Sequence, residues 1–243
     1  MKIYSLIRKG EGHQVFCEDF LLINTLNNQF LWGAIADGCS SGKDSHFASA
    51  FLLKLLRKNA QEVLLKADNK EDDELLGMNA KKILSLTFQD MKDLKKQMVL
   101  QTEEMLATLL FFIYDFVHNR LWAIVVGDGL FYVDGIWHEV DQNNQPDYWA
   151  YHLKEDFEDW FKKQKNIYEI PAPKKFAIAS DGIFSFQGAR SPEEQKIAPA
   201  SYFLEDEQFL AQPNMLGRKF NILYSQHGLQ PYDDVSIVLV KTT

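Results

Sequence analysis

Hydrophobic and polar positions sort this chain into alternating strand-like and helix-like stretches. Val15 to Asn24 and Gln29 to Ala36 are rich in β-branched and aromatic residues and are separated by Asn27-Asn28, which predicts a hairpin. After Asp37-Gly38-Cys39-Ser40-Ser41-Gly42 the period lengthens. Phe47, Phe51, Leu55, Leu56 and Val63 recur at helical spacing up to about Leu65, with Asp44 or Ser45 as the N-cap. Lys66 to Glu74 is short and highly charged and reads as a connection between antiparallel helices. Leu75, Ile83, Leu86 and Met91 then mark the apolar face of a second helix reaching about Leu100, its Lys and Asp residues facing solvent.

From Met105 the period returns to two. Ala107 to Phe116, Leu121 to Gly127 and Leu130 to Val133 predict successive antiparallel strands, turning at His118-Asn119-Arg120 and Asp128-Gly129. Asp141 to Tyr151 reads as a surface loop, and Phe157, Trp160 and Phe161 as a short helix. Lys175 to Ala179 is strand-like, Pro192 to Pro213 irregular, Met215 to Tyr224 helical, and Val235 to Val240 a clear last strand. No linker or repeat divides the chain, so residues 1–243 are expected to form a single domain. Strands flanking a central helical pair fit two layered sheets with helices outside better than a doubly wound parallel sheet.

Composition narrows the picture. The chain has 243 residues, eighteen of them Phe, enough apolar material for a sizeable core. A formal net charge of −8 argues against nucleic acid or an anionic membrane as the main partner. Cys17 and Cys39 make neither a disulfide framework nor a Cys-x-x-Cys motif, and free thiols suit a reducing compartment. The N-terminal residues lack a signal peptide's apolar core, and no apolar run reaches the ~18 residues of a membrane span. A cytoplasmic monomer is expected. His46, His118, His138, His152 and His227 have no zinc-like spacing, and Trp32, Trp122 and Trp137 read as core.

Four short acidic stretches then carry the chemistry: Cys17-Glu18-Asp19-Phe20, Ile35-Ala36-Asp37-Gly38, Ala179-Ser180-Asp181-Gly182 and Tyr232-Asp233-Asp234-Val235. Each joins a strand-like run to a turn. Carboxylates at strand ends, some beside glycines that let the backbone approach closely, suit hard divalent cations such as Mg²⁺ or Mn²⁺. One Asp-Gly is an ordinary turn; four such stretches suggest a metal-dependent hydrolase.

With these motifs in order, the sequence resembles the metal-dependent Ser/Thr protein phosphatases of the 2C type (the PPM family), in their bacterial form. Glu18-Asp19 is similar to the family's early acidic pair, and Ala36-Asp37-Gly38 with Ser41-Gly42 to its Asp-Gly-x-Gly-Gly turn. Ala107-Thr108-Leu109 resembles its small-Thr-small strand start, and Gly127-Asp128-Gly129 its Gly-Asp-Ser turn. Ala179-Ser180-Asp181-Gly182 and Asp233-Asp234-Val235-Ser236 resemble its last two acidic motifs.

The resemblance implies an α+β fold, a four-layer αββα sandwich of two antiparallel β-sheets flanked by helices. It implies a two-metal centre holding Mn²⁺ or Mg²⁺ at one end. Asp37 would bridge both ions and Gly38 would offer its carbonyl; Asp181 and Asp233 would ligate the other ion. Glu18 would reach the first through a bound water, with Asp19 in support, and Asp128 with Asp181 would match a weaker third site. The implied activity is hydrolysis of phosphoserine or phosphothreonine in a protein substrate by direct attack of an activated water, with Asp37, Glu18 and Asp181 as the catalytic set. A variable flap is expected about residues 186–213, and Thr108 reads as a buried strand residue. The chain departs from the pattern at Gln14, where family members carry a phosphate-binding Arg, leaving Arg8, Lys9 or His13 as substitutes. It departs again at Cys39, where eukaryotic members carry a His. The alternative is a regulatory or binding module on the same fold, with catalysis weak or lost.

Overall fold

Two five-stranded antiparallel sheets lie face to face with helices on both outer sides, in a computed structural model that describes residues 1–67, 75–143, 145–188 and 197–242. The first sheet runs in the order β2 (Asp19–Leu26), β3 (Phe30–Asp37), β4 (Leu109–Asp115), β5 (Arg120–Val126) and β8 (Ile167–Pro171). The second runs β1 (Lys2–Arg8), β12 (Val235–Lys241), β9 (Lys175–Ala179), β6 (Gly129–Val133) and β7 (Ile136–Val140). A short ribbon pairs β10 (Phe186–Gln187) with β11 (Gln230–Pro231). Helices α1 (Ser45–Leu65), α2 (Leu75–Gln97) and α3 (Phe157–Lys162) cover the first sheet; α4 (Pro199–Leu204) and α5 (Met215–Ile222) cover the second. This is the expected αββα sandwich. Among the described residues no helix is long and apolar enough to cross a membrane.

Each interface has its own apolar filling. Leu31, Ile35, Phe112, Phe131, Phe176 and Val238 fill the space between the sheets. Trp32, Leu52, Leu56, Phe88 and Trp160 pack beneath the first helical layer, and Leu130, Phe203, Met215 and Ile237 beneath the second. Central strands β3 and β4 are therefore buried on both faces, and their sequences are unbroken apolar runs. Asn27 and Asn28 both adopt left-handed backbone, and the Gln29 N–H closes their turn onto the Leu26 carbonyl. The register that follows sets Asp19 directly opposite Asp37.

Several expectations need correction. Asp128-Gly129 is not a hairpin turn: β5 and β6 belong to different sheets, and the chain crosses the sandwich there. Strands β1, β7 and β8 are additional, and β2 begins only at Asp19. Helix α2 ends at Gln97 rather than near Leu100. The loop expected over 141–151 turns inward at Trp149, which is buried and stacks on Trp160 with ring centroids 5.3 Å apart. Trp137 is half-buried at the rim and donates its indole N–H to Glu205. The segment expected to be irregular contains α4, whose Phe203 and Leu204 are fully buried. The buried Lys219 ammonium donates to the carbonyls of Tyr202 and Asp206 at that helix's end. The part of the expected flap over 189–196, and of the charged connection over 68–74, lies outside the described residues.

Candidate metal centre

All the acidic motifs fall where strands meet one end of the sandwich. Asp19 opens β2 and Asp37 closes β3; Asp181 lies just beyond β9, and Asp233 and Asp234 lie just before β12. Asp128 sits in the crossing from β5 to β6. Antiparallel neighbours start where their partners end, so these positions share one edge.

Close backbone contacts build that edge. A Cβ on Gly38 would stand 2.2 Å from the Ser45 carbonyl oxygen, and one on Gly182 would stand 1.9 Å from that of Asp234, so only glycine fits either place. Thr108 clamps Asp37 twice. Its hydroxyl accepts the Asp37 N–H at 3.0 Å, and its own N–H donates to the Asp37 carbonyl at 2.8 Å. Asp19 is steered by Ser180, whose hydroxyl donates to Asp19 Oδ2 at 2.8 Å while accepting the Ser236 N–H at 2.9 Å.

The electrostatics are those of crowded acids. Burial drives the Asp37 carboxyl well above the usual carboxylate range, and the charges of Asp19, Asp181 and Asp233 push it further. Asp19 is likewise driven well up by burial, with Asp234 and Asp181 adding to it against the neighbouring Ser236 and Ser180 hydroxyls. Asp181 is pushed up to about 6 by burial, then by Asp233 and Asp128. Asp233 is raised by burial too, and Asp128 by burial with Asp141 nearby, against the Gln142 N–H that donates to it at 2.8 Å. The structure thus brings Asp19, Asp37, Asp181 and Asp233 within mutual electrostatic reach. Asp128 faces Asp181 and Asp233 across a cleft of about 310 Å³.

Among the described residues no three acidic, His or Cys side chains already form a cation cage. Two carboxylate oxygens among the described residues are, however, buried with no hydrogen-bond partner: Asp19 Oδ1 and Asp181 Oδ1. A buried carboxylate oxygen without a donor is costly, and a hard cation relieves both the missing partner and the mutual repulsion. The donor set therefore fits Mg²⁺ or Mn²⁺.

Asp233 and Asp234 divide their labour. Asp234 is fully buried and fully used: Oδ1 accepts the Gly10 N–H at 2.7 Å, and Oδ2 takes the Glu18 N–H and, at 2.7 Å, His13 Nδ1. It ties the 10–18 loop to the end of the sandwich, leaving Asp233 to face the cleft. Glu18 lies on the flank, its carboxylate accepting from the Ser40 hydroxyl at 2.7 Å.

His13 is the residue that sequence reasoning undervalued. Its Nε2 is 3.3 Å from Asp233 and 3.9 Å from Glu18. Burial lowers its proton affinity, but Asp234, Asp233 and Glu18 outweigh this and leave it raised. Of the three basic substitutes considered, only His13 meets the cluster. Arg8 lies over the Phe220 ring and donates to the Ile7 carbonyl, and Lys9 donates to the Gln14 carbonyl. Gln14 itself is exposed. The pairing of positions 13, 18, 233 and 234 is made by β12 and the β1–β2 loop, and no local spacing announces it.

Comparison with known proteins gives this helix-clad double sheet with its acid-lined end a family. The sequence profile described as protein phosphatase 2C matches residues 8–216, and the chain belongs to that family. No curated sequence is similar enough to match. Solved structures with the same fold include RsbX in complex with magnesium, 18% identical over 98% of this chain and 92% of that one, with a TM-score of 0.58. A bacterial serine phosphatase bearing a point mutation is 14% identical, over 100% of this chain and 99% of its own, with a TM-score of 0.64. The catalytic domain of the serine/threonine phosphatase PstP, in complex with manganese ions, is 14% identical over 99% and 97%, with a TM-score of 0.57. At these identities the likeness concerns the fold.

Proposed function

We propose that this chain is a Mn²⁺- or Mg²⁺-dependent phosphoprotein phosphatase acting on phosphoserine and phosphothreonine. The observation that carries the reading is the acidic cluster itself, four carboxyls held above their ordinary proton affinity with unpartnered oxygens on Asp19 and Asp181. Family membership and the magnesium and manganese complexes of RsbX and PstP support it. Asp37, Asp181, Asp233 and Asp19 would hold the cations, with the Gly38 carbonyl and Glu18 completing the set, and Asp128 with Asp181 offering a further place.

Bound ions would lower the pKa of a coordinated water to near neutrality and offset charge on the phosphoryl oxygens. The chain supplies the rest. Thr108 and Ser180 hold Asp37 and Asp19 in place, and Asp234 fixes the loop that carries His13 and Glu18. His13, its proton affinity raised by its acidic neighbours and its Nε2 3.3 Å from Asp233, would offer a phosphate group the positive charge that Gln14 does not provide. No side chain need become phosphorylated: Cys17 lies beside Asp19 and Asp234, and burial and those charges push its thiol up, away from the thiolate a nucleophile requires.

Hydrolysis of an aryl phosphate with Mn²⁺, and with chelator, tests the reading. Turnover that depends on Mn²⁺ is expected. A chain that binds Mn²⁺ and never hydrolyses the ester would be a binding module on this fold instead.

A further inference from the structure

Beside the acidic end lies a larger cleft of about 900 Å³ and opposite charge, formed by the end of α2, the turn after it and the Trp149–His152 turn. Lys92, Lys95, Lys96 and Lys154 line it, against the single carboxylate of Glu103. On a chain of net charge −8 such a concentration is notable. None of the four lysines has an ion-pair partner among the described residues. Lys92 donates to the Glu155 carbonyl at 2.8 Å and Lys95 to the Thr102 hydroxyl at 2.6 Å, both neutral acceptors, while Lys96 and Lys154 are exposed. Lysines in a helix's last turn complement its dipole, which accounts for Lys95 and Lys96. It does not account for Lys154, which arrives from another part of the chain.

Val99 is the second observation. It lines the same cleft, is 77% exposed and has φ of 57°. A β-branched residue is strained in that region, where a helix ordinarily ends on Gly or Asn. Folding gains nothing in return, because the methyl groups face solvent. An apolar contact made only with a partner would offset the strain.

The cleft also leads to the proposed site. Tyr151 lines both this cleft and an adjoining one of about 430 Å³ whose walls include Cys39, Ser41 and Tyr148. Cys39 follows Gly38, and the Tyr148 phenol, raised chiefly by burial, also feels the charge of Asp37. The lysine cleft and this second cleft thus meet at Tyr151, and Cys39 in the second lies two residues along the chain from Asp37.

We propose that this groove holds an acidic segment of the phosphoprotein substrate, its Asp and Glu side chains against Lys95, Lys96 and Lys154 and an apolar side chain against Val99. The proposal rests on the phosphatase reading for the identity of the partner. The chain's net negative charge would disfavour such a segment elsewhere, and the lysines would steer it here. A recessed cleft suits an extended chain better than a flat bilayer.

The test uses the whole chain and two readouts. Fluorescence anisotropy with a labelled, unphosphorylated Asp/Glu-rich peptide reports the groove, and Mn²⁺-dependent aryl phosphate hydrolysis reports the catalytic reading independently. Two phosphothreonine peptides, one with an acidic and one with a neutral flank, join the readouts. The acidic peptide should be favoured by about ten-fold in kcat/KM, mostly through KM. Combined Lys95→Gln, Lys96→Gln and Lys154→Gln should erase that preference and the anisotropy signal while leaving aryl phosphate turnover unchanged. Val99→Gly should raise Tm yet weaken peptide binding, a pairing that a purely structural residue would not give. Equal kcat/KM for the two peptides, a preference surviving the triple substitution, or tighter binding to phosphatidylserine vesicles than to the peptide overturns the proposal.

Discussion

The two ends of the β-sandwich each bury aspartates, and they treat them in opposite ways. At the far end of β4, about 20 Å along the strand from Thr108, Asp115 is completely partnered. Its Oδ1 accepts the N–H groups of Val117 and His118 at 3.0 Å each, and its Oδ2 faces Gln29 Nε2 at 2.8 Å and His118 Nδ1 at 2.7 Å. At the near end, Asp19 and Asp181 each keep a buried oxygen with no donor, and carboxylates face carboxylates. The Asp115 carboxylate is satisfied by the polypeptide; the near-end carboxylates are consistent only with protons or cations from outside. That difference, more than the number of acids, separates a structural aspartate from one set aside for chemistry.

Substitutions that neutralise one carboxylate at each end sharpen the contrast. Asp37→Asn or Asp181→Asn should lower Mn²⁺-dependent hydrolysis by roughly a hundred-fold or more, while thermal unfolding in chelator stays unchanged or moves upward because repulsion is relieved. Asp115→Asn should do the reverse. Loss of charge-assisted hydrogen bonds there should cost about 2 kcal/mol, or roughly 4–8 °C in Tm for a chain of this size, with hydrolysis retained. Steady-state kinetics and thermal melts on the same three proteins check both halves; activity lost at Asp115 and kept at Asp37 would reverse the assignment.

The same contrast explains which parts of the molecule were legible in the sequence. The central strands β3 and β4 are apolar on both faces and announce themselves, as does the Asn27-Asn28 turn, because few residues tolerate left-handed backbone. The edge strands β7 and β8 are short and half-exposed, so they carry no strong period. Asp128-Gly129 has good turn chemistry, but local chemistry does not tell a hairpin from a crossing between sheets. Asp37 and Asp181 were visible through their glycine neighbours. His13 was one of three basic candidates and Asp234 one of an adjacent pair, but their roles were not legible, because these lie in a contact spanning 221 residues of chain, and which of two adjacent aspartates turns inward is decided by packing.

A smaller effect separates the two ends through pH. The Asp181 carboxyl, ordinarily near 3.8, titrates at about 6 in the folded chain, and Asp19 and Asp37 shift in the same direction. Between the unfolded and folded values the folded chain binds more protons than the unfolded one, so this contribution is present at low pH and lost as pH rises through the folded value. His13, also raised, has the same sign. Metal-free protein should therefore melt a few degrees higher near pH 5 than near pH 7, and Asp181→Asn should reduce the difference. Saturating Mn²⁺ should shrink or invert it, because the cation replaces those protons. A chelated Tm that falls between pH 7 and pH 5 would show that the cluster carries no such load.

Calorimetric titration of the wild-type chain with Mn²⁺ at pH 6, repeated in buffers of different ionisation enthalpy, measures the central claim directly. Cations entering a cluster whose carboxyls are raised, Asp181 to about 6, should displace protons, so the apparent binding heat should vary with the buffer. Asp115→Asn should bind alike, and Asp37→Asn should bind far more weakly. Absence of Mn²⁺ binding, or binding that Asp37→Asn leaves intact, would contradict the account.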